Sequence, residues 1–311
     1  MNGVVVVDKP AHITSAQVVA RLKKILRAKK VGHTGTLDPF ATGVLVCCVN
    51  AATRVARFLM HGKKRYEGVM QLGIRTDTQD ATGQVLSRQS HATVTDQEIR
   101  SAFRRFSKIT GQIPPAFSAL KHHGEPLYKL ARKGVFVQKP SRRISIYKLE
   151  IVDVEIPYVH FDVICSHGTY VRTLCSDIGE YLGCGASLVQ LCRTENGGFT
   201  LEDAFSLNTL ERLARSGKLS TCIIPTSDAL REIPEVTVSD QLAKKIQHGQ
   251  PLSYTELEIA EEVKSLWLKI IDGQRNLIAV LNTSKKNGNG VYSYACVFPR
   301  RESRKCIEQS A

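Results

Sequence analysis

The sequence has nine cysteines but no C-x-x-C pair. They stand at 47, 48, 165, 175, 184, 192, 222, 296 and 306, and no His/Cys grouping has zinc-ligand spacing, which argues against a metal centre. An odd, unpatterned set also argues against a disulfide framework and reads as free thiols in a reducing compartment. No apolar run approaches the roughly 18 residues that a bilayer span needs. The opening MNGVVVVDKP is not a secretory signal, because its four valines are closed at once by Asp-Lys-Pro. No helical stretch joins a basic face to bulky exposed aromatics, which disfavours a membrane surface as partner. Low-complexity tracts and internal repeats are absent as well. These absences predict a soluble, cytoplasmic protein that uses no metal.

Acidic residues are also in short supply. Lys and Arg number 43 against 29 Asp and Glu, giving a net charge of +14 and a pI near 9.4. The imbalance is polarised. Residues 1–65 carry a net +10 and residues 66–150 a net +7, whereas residues 151–230 carry a net −5. An excess confined to the N-terminal half points to a polyanion, and nucleic acid is the expected partner.

With 311 residues, 42% of them hydrophobic, the chain can build one large domain and a small one. VVVV (4–7) and VLVCCV (44–49) read as buried strands and KRYEGVMQLG (64–73) as an alternating one. Further strands are expected at about 144–154 and 158–166. Between 14 and 30 an apolar face (Val18, Val19, Leu22, Ile25, Leu26) opposes Arg21, Lys23, Lys24, Arg27, Lys29 and Lys30, and Thr14 or Ser15 can cap the helix. Thr95 and Glu98 form a capping box for a helix to 106. Helices of about 170–182 and 239–248 end at glycines. Residues 112–143, dense in Lys and Arg, read as an insertion that grips a ligand. The class expected is α+β, with a mixed, largely antiparallel sheet over residues 1–230, a small β-rich unit over 231–300 and a tail at 301–311.

One stretch resists a purely structural reading: GHTGTLDPFATG (32–43). Asp38-Pro39 could start a helix, since Asp caps and Pro suits the first turn. Gly43 and a strand follow so soon that at most one turn could form. A Walker loop would end Gly-Lys-Ser/Thr, a serine hydrolase would need G-x-S-x-G, and a glycosidase a second carboxylate. A lone acid among hydroxyls and backbone amides suits a reaction at a sugar carbon with no net exchange of water or electrons.

GHTGTLDPFATGVL resembles the signature of the TruB family of tRNA pseudouridine synthases. VDKPAHITS (7–15), KRYEGVMQLGIRTDTQDATG (64–83), IPPAFSALKHHGEPLYKLARKG (113–134) and SHGTYVRTLCSDIGEYLGCGASLVQLCRTENGGF (166–199) resemble further family motifs in the right order. The resemblance covers roughly residues 3 to 230, and the unit at 231–300 is similar to a small PUA-like RNA-binding domain. It implies the pseudouridine synthase fold, no cofactor, and isomerisation of the T-loop uridine of tRNA (position 55) after the base is flipped out. It further implies that Asp38 is the catalytic acid, paired with Arg172, that Tyr66 stacks on the uracil, and that Tyr170 and Leu191 line the pocket. His33 would support the extruded nucleotide and Lys9 would support the site near Tyr66. The partner implied is tRNA alone, with no protein partner and a monomeric enzyme. The alternatives are a non-catalytic tRNA-binding or tRNA-folding protein on the same scaffold and a guide-RNA-dependent relative; the early first strand and long basic insertion favour a stand-alone enzyme. His12 stands where the family usually has glycine, so an altered turn after Pro10 is expected.

Overall fold

The structure, a computed structural model, describes residues 1–257, 265–284 and 290–299. The expected tail at 301–311 lies outside the described residues. The chain divides into two compact units. One holds Val5–Cys47 and Ala56–Cys222; the other holds Met1–Val4, Cys48–Val55 and the chain from Ile223 onward.

The larger unit is built on a nine-stranded sheet. In chain order its strands are β1 (Gly3–Lys9), β2 (Val31–His33), β3 (Thr42–Val49), β4 (Lys64–Leu72), β5 (Ile146–Glu155), β6 (Tyr158–Cys165), β7 (Ala186–Asn196), β8 (Phe199–Thr200) and β9 (Phe205–Ser206). The main path runs β5-β6-β4-β7-β3-β1-β9, with β8 on β7 and β2 on β3. Pairing is antiparallel from β5 through β6 and β4 to β7, and parallel where β7 meets β3 and β1 meets β9. This is the mixed, largely antiparallel sheet that the alternating and continuous apolar runs predict.

Helices α1 (Ser15–Ile25), α2 (Asp96–Phe106), α3 (Leu127–Arg132) and α4 (Val171–Tyr181) belong to the same unit. Ile99 and Phe103 of α2 and Leu174 and Ile178 of α4 share one buried cluster with Met70, Leu72, Phe161, Val163 and Leu188 of the sheet. Each such side chain contributes about 1.5–3 kcal/mol on burial. Phe161 lies across Gly68, where a β-carbon would come within 2.5 Å of its ring, so this strand position tolerates no side chain.

One helix departs from the sequence reading, and two local details bear on it. Helix α1 stops at Ile25 rather than near Lys30, because Leu26 turns into the core as the C-cap and Arg27 takes a left-handed φ of 46°. Residues 34–41 contain no helix, so Asp38 caps nothing. After Pro10 the chain turns with His12 at φ 65°, conformational space that glycine enters freely and histidine at a cost of about 1–2 kcal/mol.

The basic segment 112–143 folds as a small hairpin (121–122 with 125–126), α3, and a two-residue pairing of Gly111–Gln112 with Arg142–Arg143. The second unit carries a four-stranded sheet of β10 (Glu235–Thr237), β11 (Trp267–Ile271), β12 (Leu277–Asn282) and β13 (Ser293–Val297), with α5 (Asp240–Gln247) packed on it through Ala243 and Ile246. No helix among the described residues is long and apolar enough to cross a membrane.

Candidate active site

Asp38 lies in the irregular connection from β2 to β3, and the residues on either side of it are clamped. Ser15, buried at the first position of α1, donates its hydroxyl to the Leu37 carbonyl (3.0 Å) and accepts the Leu37 N–H (2.9 Å). Thr14, not Ser15, caps α1, which leaves Ser15 free for this duty. On the other side the Lys9 ammonium, at the end of β1, donates to the carbonyls of Pro39 (3.0 Å) and Pro10 (2.8 Å). Asp38 is therefore presented by a backbone fixed one residue before and one residue after it.

The carboxylate itself is held by Arg172 of α4. Arg172 Nε donates to Asp38 Oδ2 at 2.7 Å and Nη2 donates to Oδ1 at 3.2 Å, a two-pronged pair that fixes the plane of the carboxylate. The remaining guanidinium donors are occupied too: Nη1 donates to the Thr78 carbonyl (2.7 Å) and Nη2 to that of Phe117 (3.0 Å). The Arg172 side chain is 4% exposed and that of Asp38 is 31% exposed, so the pair is anchored from the inside while the carboxylate keeps an open side. Phe117 takes part through its backbone carbonyl alone.

A second acid completes the cluster. Asp80 is buried, lies 3.6 Å from Arg172 Nη1, and accepts hydrogen bonds from Thr78 Oγ1 (2.8 Å), the Thr82 N–H (2.9 Å) and the Thr82 hydroxyl. Its bonds to the turn around it hold Arg172 from behind. Sequence reasoning missed Asp80, since nothing local distinguishes it from Asp77 three residues earlier in DTQDATG. It also missed Gln112, which accepts the Tyr170 N–H (2.8 Å) and donates to the Tyr170 carbonyl (3.0 Å), fixing the entry to α4.

The other predicted residues fall as follows. Tyr66 on β4 and Leu191 on β7 share the buried apolar cluster with Leu37 and Ala41, and Phe40 packs against it. Burial pushes the Tyr66 hydroxyl up, the Arg193 guanidinium opposes this, and the Asp38 charge adds to it. Tyr170 is half-buried at the N-cap of α4; burial raises its phenol as well, and it feels the charges of both Arg172 and Asp38. Burial lowers the Lys9 ammonium to about 8, and the Asp38 charge works against that fall. Lys9 thus reaches the site through Pro39 rather than through a bond to Tyr66. His33 ends β2, accepts the Gly35 N–H on Nδ1 (3.3 Å), and is lowered by burial and by Arg193. A neutral ring accepting there carries its proton on Nε2. Asp38, Arg172, Tyr66, Tyr170, Leu191 and Lys9 are brought together; His33 answers to Arg193 instead. Among the described residues no three His, Cys, Asp or Glu side chains converge as a metal would require.

Lys64, at the start of β4, is buried and donates to the carbonyls of Met60 and Gly62 (both 3.0 Å). Burial, helped by Arg193, lowers it to about 8 from the usual 10.5. Between those values the unfolded chain holds a proton that the folded chain has released, so this lysine's contribution to stability rises with pH in that window. Denaturant titrations of the parent and Lys64→Met at pH 7.5 and 9.5 should therefore find the parent's advantage larger at the higher pH; an advantage that shrinks would refute the assignment.

A family model described as the N-terminal domain of TruB family pseudouridylate synthases matches residues 23–171, and one described as the C-terminal domain of tRNA pseudouridylate synthase B matches residues 172–231. The tRNA pseudouridine synthase B of Geobacter sulfurreducens is 44% identical over 258 residues, 83% of this chain and 85% of that protein. The protein of the same name from Clostridium tetani is 42% identical over 249 residues, 80% of this chain and 85% of that one. Among solved structures, a chain of a Cbf5-Nop10-Gar1 complex superimposes with a TM-score of 0.74 at 27% identity, covering 96% of this chain and 85% of that chain.

Proposed function

Starting from the fact that this chain belongs to the TruB family of pseudouridylate synthases, we propose that it converts uridine to pseudouridine in the T-loop of tRNA, with Asp38 at the reacting carbon. The reading is supported above all by one observation: a partly open carboxylate held at two oxygens by a buried guanidinium.

Isomerisation breaks the N1–C1′ bond, turns the uracil and joins C5 to C1′, while C5 gives up its proton and N1 takes one up, so the composition is unchanged. No atom or electron is exchanged with a second substrate. What the protein must supply is an aimed carboxylate, a surface for the base and an acceptor for displaced charge. Asp38 either attacks C1′ or takes the 2′ proton; both routes need the carboxylate orientation that Arg172 imposes. Tyr66 offers an aromatic face for the extracted base, and Leu191 and Tyr170 wall the pocket. A uridine inside a folded loop hides its glycosidic bond, so the base must be flipped out at a cost of a few kcal/mol, recovered from stacking and phosphate contacts. The basic insertion and the cationic end of α1 are suited to those phosphate contacts. His33 supports the emptied loop, and the C-terminal unit is a PUA-like module that adds RNA contact. The chain acts alone, as a monomer in the cytoplasm.

The test uses unmodified tRNA tritiated at uridine C5. Tritium release stoichiometric with tRNA is expected, from whole tRNA and from an isolated T stem-loop, without any added protein or guide RNA. A transcript with cytidine in place of the T-loop target should release none; release that persists would move the target elsewhere.

A further inference from the structure

Arg193 has no place in the mechanism so far, yet it is fully buried. Among the described residues it has no carboxylate partner. Its guanidinium donates to three backbone carbonyls: Nε to Val44 (2.8 Å), Nη2 to Gly35 (3.1 Å) and Nη1 to Thr36 (3.5 Å). Gly35 and Thr36 precede Asp38 and Val44 follows it. One side chain therefore ties down both ends of the segment that carries the carboxylate. Desolvating a cation without a counter-charge is expensive, and an apolar residue would avoid that cost.

Its position in the sheet adds a second link. On β7, Arg193 is in register with Tyr66 of β4 on one side and with Gly43 of β3 on the other. Gly43 takes φ +98°, and a β-carbon there would lie 2.3 Å from the Arg193 carbonyl, so the two backbones meet at a point only glycine permits. The guanidinium carbon stands 6.0 Å from the centre of the Tyr66 ring. Its charge is felt by Lys9, His33, Lys64 and Tyr66 alike, which surround the segment.

We propose that Arg193 is a positioning residue for the isomerisation: it sets the Asp38 segment against the Tyr66 strand, so that carboxylate and stacking ring keep a fixed separation. This rests on the uridine-isomerase reading above, and it acts on the chemical step rather than on RNA capture.

Arg193→Met and Arg193→Lys, in the full-length chain, separate this from a merely structural role. Four quantities are measured: single-turnover tritium release at saturating RNA, RNA Kd, thermal midpoint, and amide hydrogen exchange over residues 34–44. Arg193→Met should slow release about 100-fold, the scale of an ångström-sized misplacement, with Kd changed less than about threefold and faster exchange in 34–44. Arg193→Lys keeps the charge but has a single donor nitrogen; it should recover about tenfold of that loss. A folded variant with unchanged release overturns the proposal, as does a loss of rate matched by losses in Kd and midpoint. If the methionine variant does not fold, the lysine variant decides by the same measures: slowed release at parental Kd supports the proposal, and parental release refutes it. No release from the parent chain itself would instead overturn the isomerase reading, and the exchange experiment would still report whether Arg193 holds the segment.

Discussion

Asp38→Asn is expected to slow tritium release by at least about 10⁴-fold, the scale on which loss of a reacting group acts, with RNA Kd changed less than about threefold. The substitution keeps size and shape. It removes the negative charge and replaces one acceptor oxygen with a donor that faces the donors of Arg172. Neither attack at C1′ nor removal of the 2′ proton is open to a neutral amide. The fold should suffer little, because Arg172 keeps its carbonyl partners and Asp80, so the cost in stability is about 1.5–3 kcal/mol, that of a charged hydrogen bond. Asp38→Glu provides the complementary control. It restores the charge on a longer arm, in a segment clamped at Leu37 and Pro39, and the misdirected carboxylate should leave the rate about 10²-fold down. Rapid single-turnover release by the asparagine variant would remove Asp38 from the chemistry altogether.

Arg172→Met should cost both rate and stability. The side chain is buried, and its loss leaves Asp80 without its cation and two carbonyls without their donor. Breaking a buried pair by removing one partner costs about 3–5 kcal/mol, which a denaturant titration would detect. The rate should fall by about 10³-fold or more, since the carboxylate loses its orientation and its compensating charge together. Arg172→Lys separates the two effects. Lysine returns a charge but cannot grip both Asp38 oxygens while reaching Thr78 and Phe117, so stability should recover more than rate. Equal recovery of both would mean that the two-pronged geometry is irrelevant to turnover.

Much of the fold was legible in the residues. The valine runs, the alternation of 64–72 and the capping box at Thr95 each depend on neighbours close in sequence, and each produced its element. Helix α1 was overdrawn because periodicity alone does not reveal that Leu26 finds a core partner and pulls the chain out of helix. At the site, elimination isolated Asp38 as a carboxylate in need of a use, but only family resemblance supplied Arg172. The arginine lies 134 residues away and looks like any arginine in a first helical turn. Ser15, Asp80, Gln112 and Arg193 stayed invisible for the same reason. Each gains its importance from contacts made across the fold, and no local pattern marks a serine, an acid, an amide or a second arginine as a clamp.

The long sequence separation of those clamps also sets a timetable for synthesis. The segment bearing Asp38 leaves the ribosome early, whereas Arg172 and the donor that spans 149 positions back to Val44 emerge after more than half of the polypeptide has been made. On the proposed reading, a nascent chain that already displays its cationic N-terminal half still lacks the guanidinium that orients the Asp38 carboxylate. The Asp38 segment gains its full set of clamps only once β7 stands between β4 and β3.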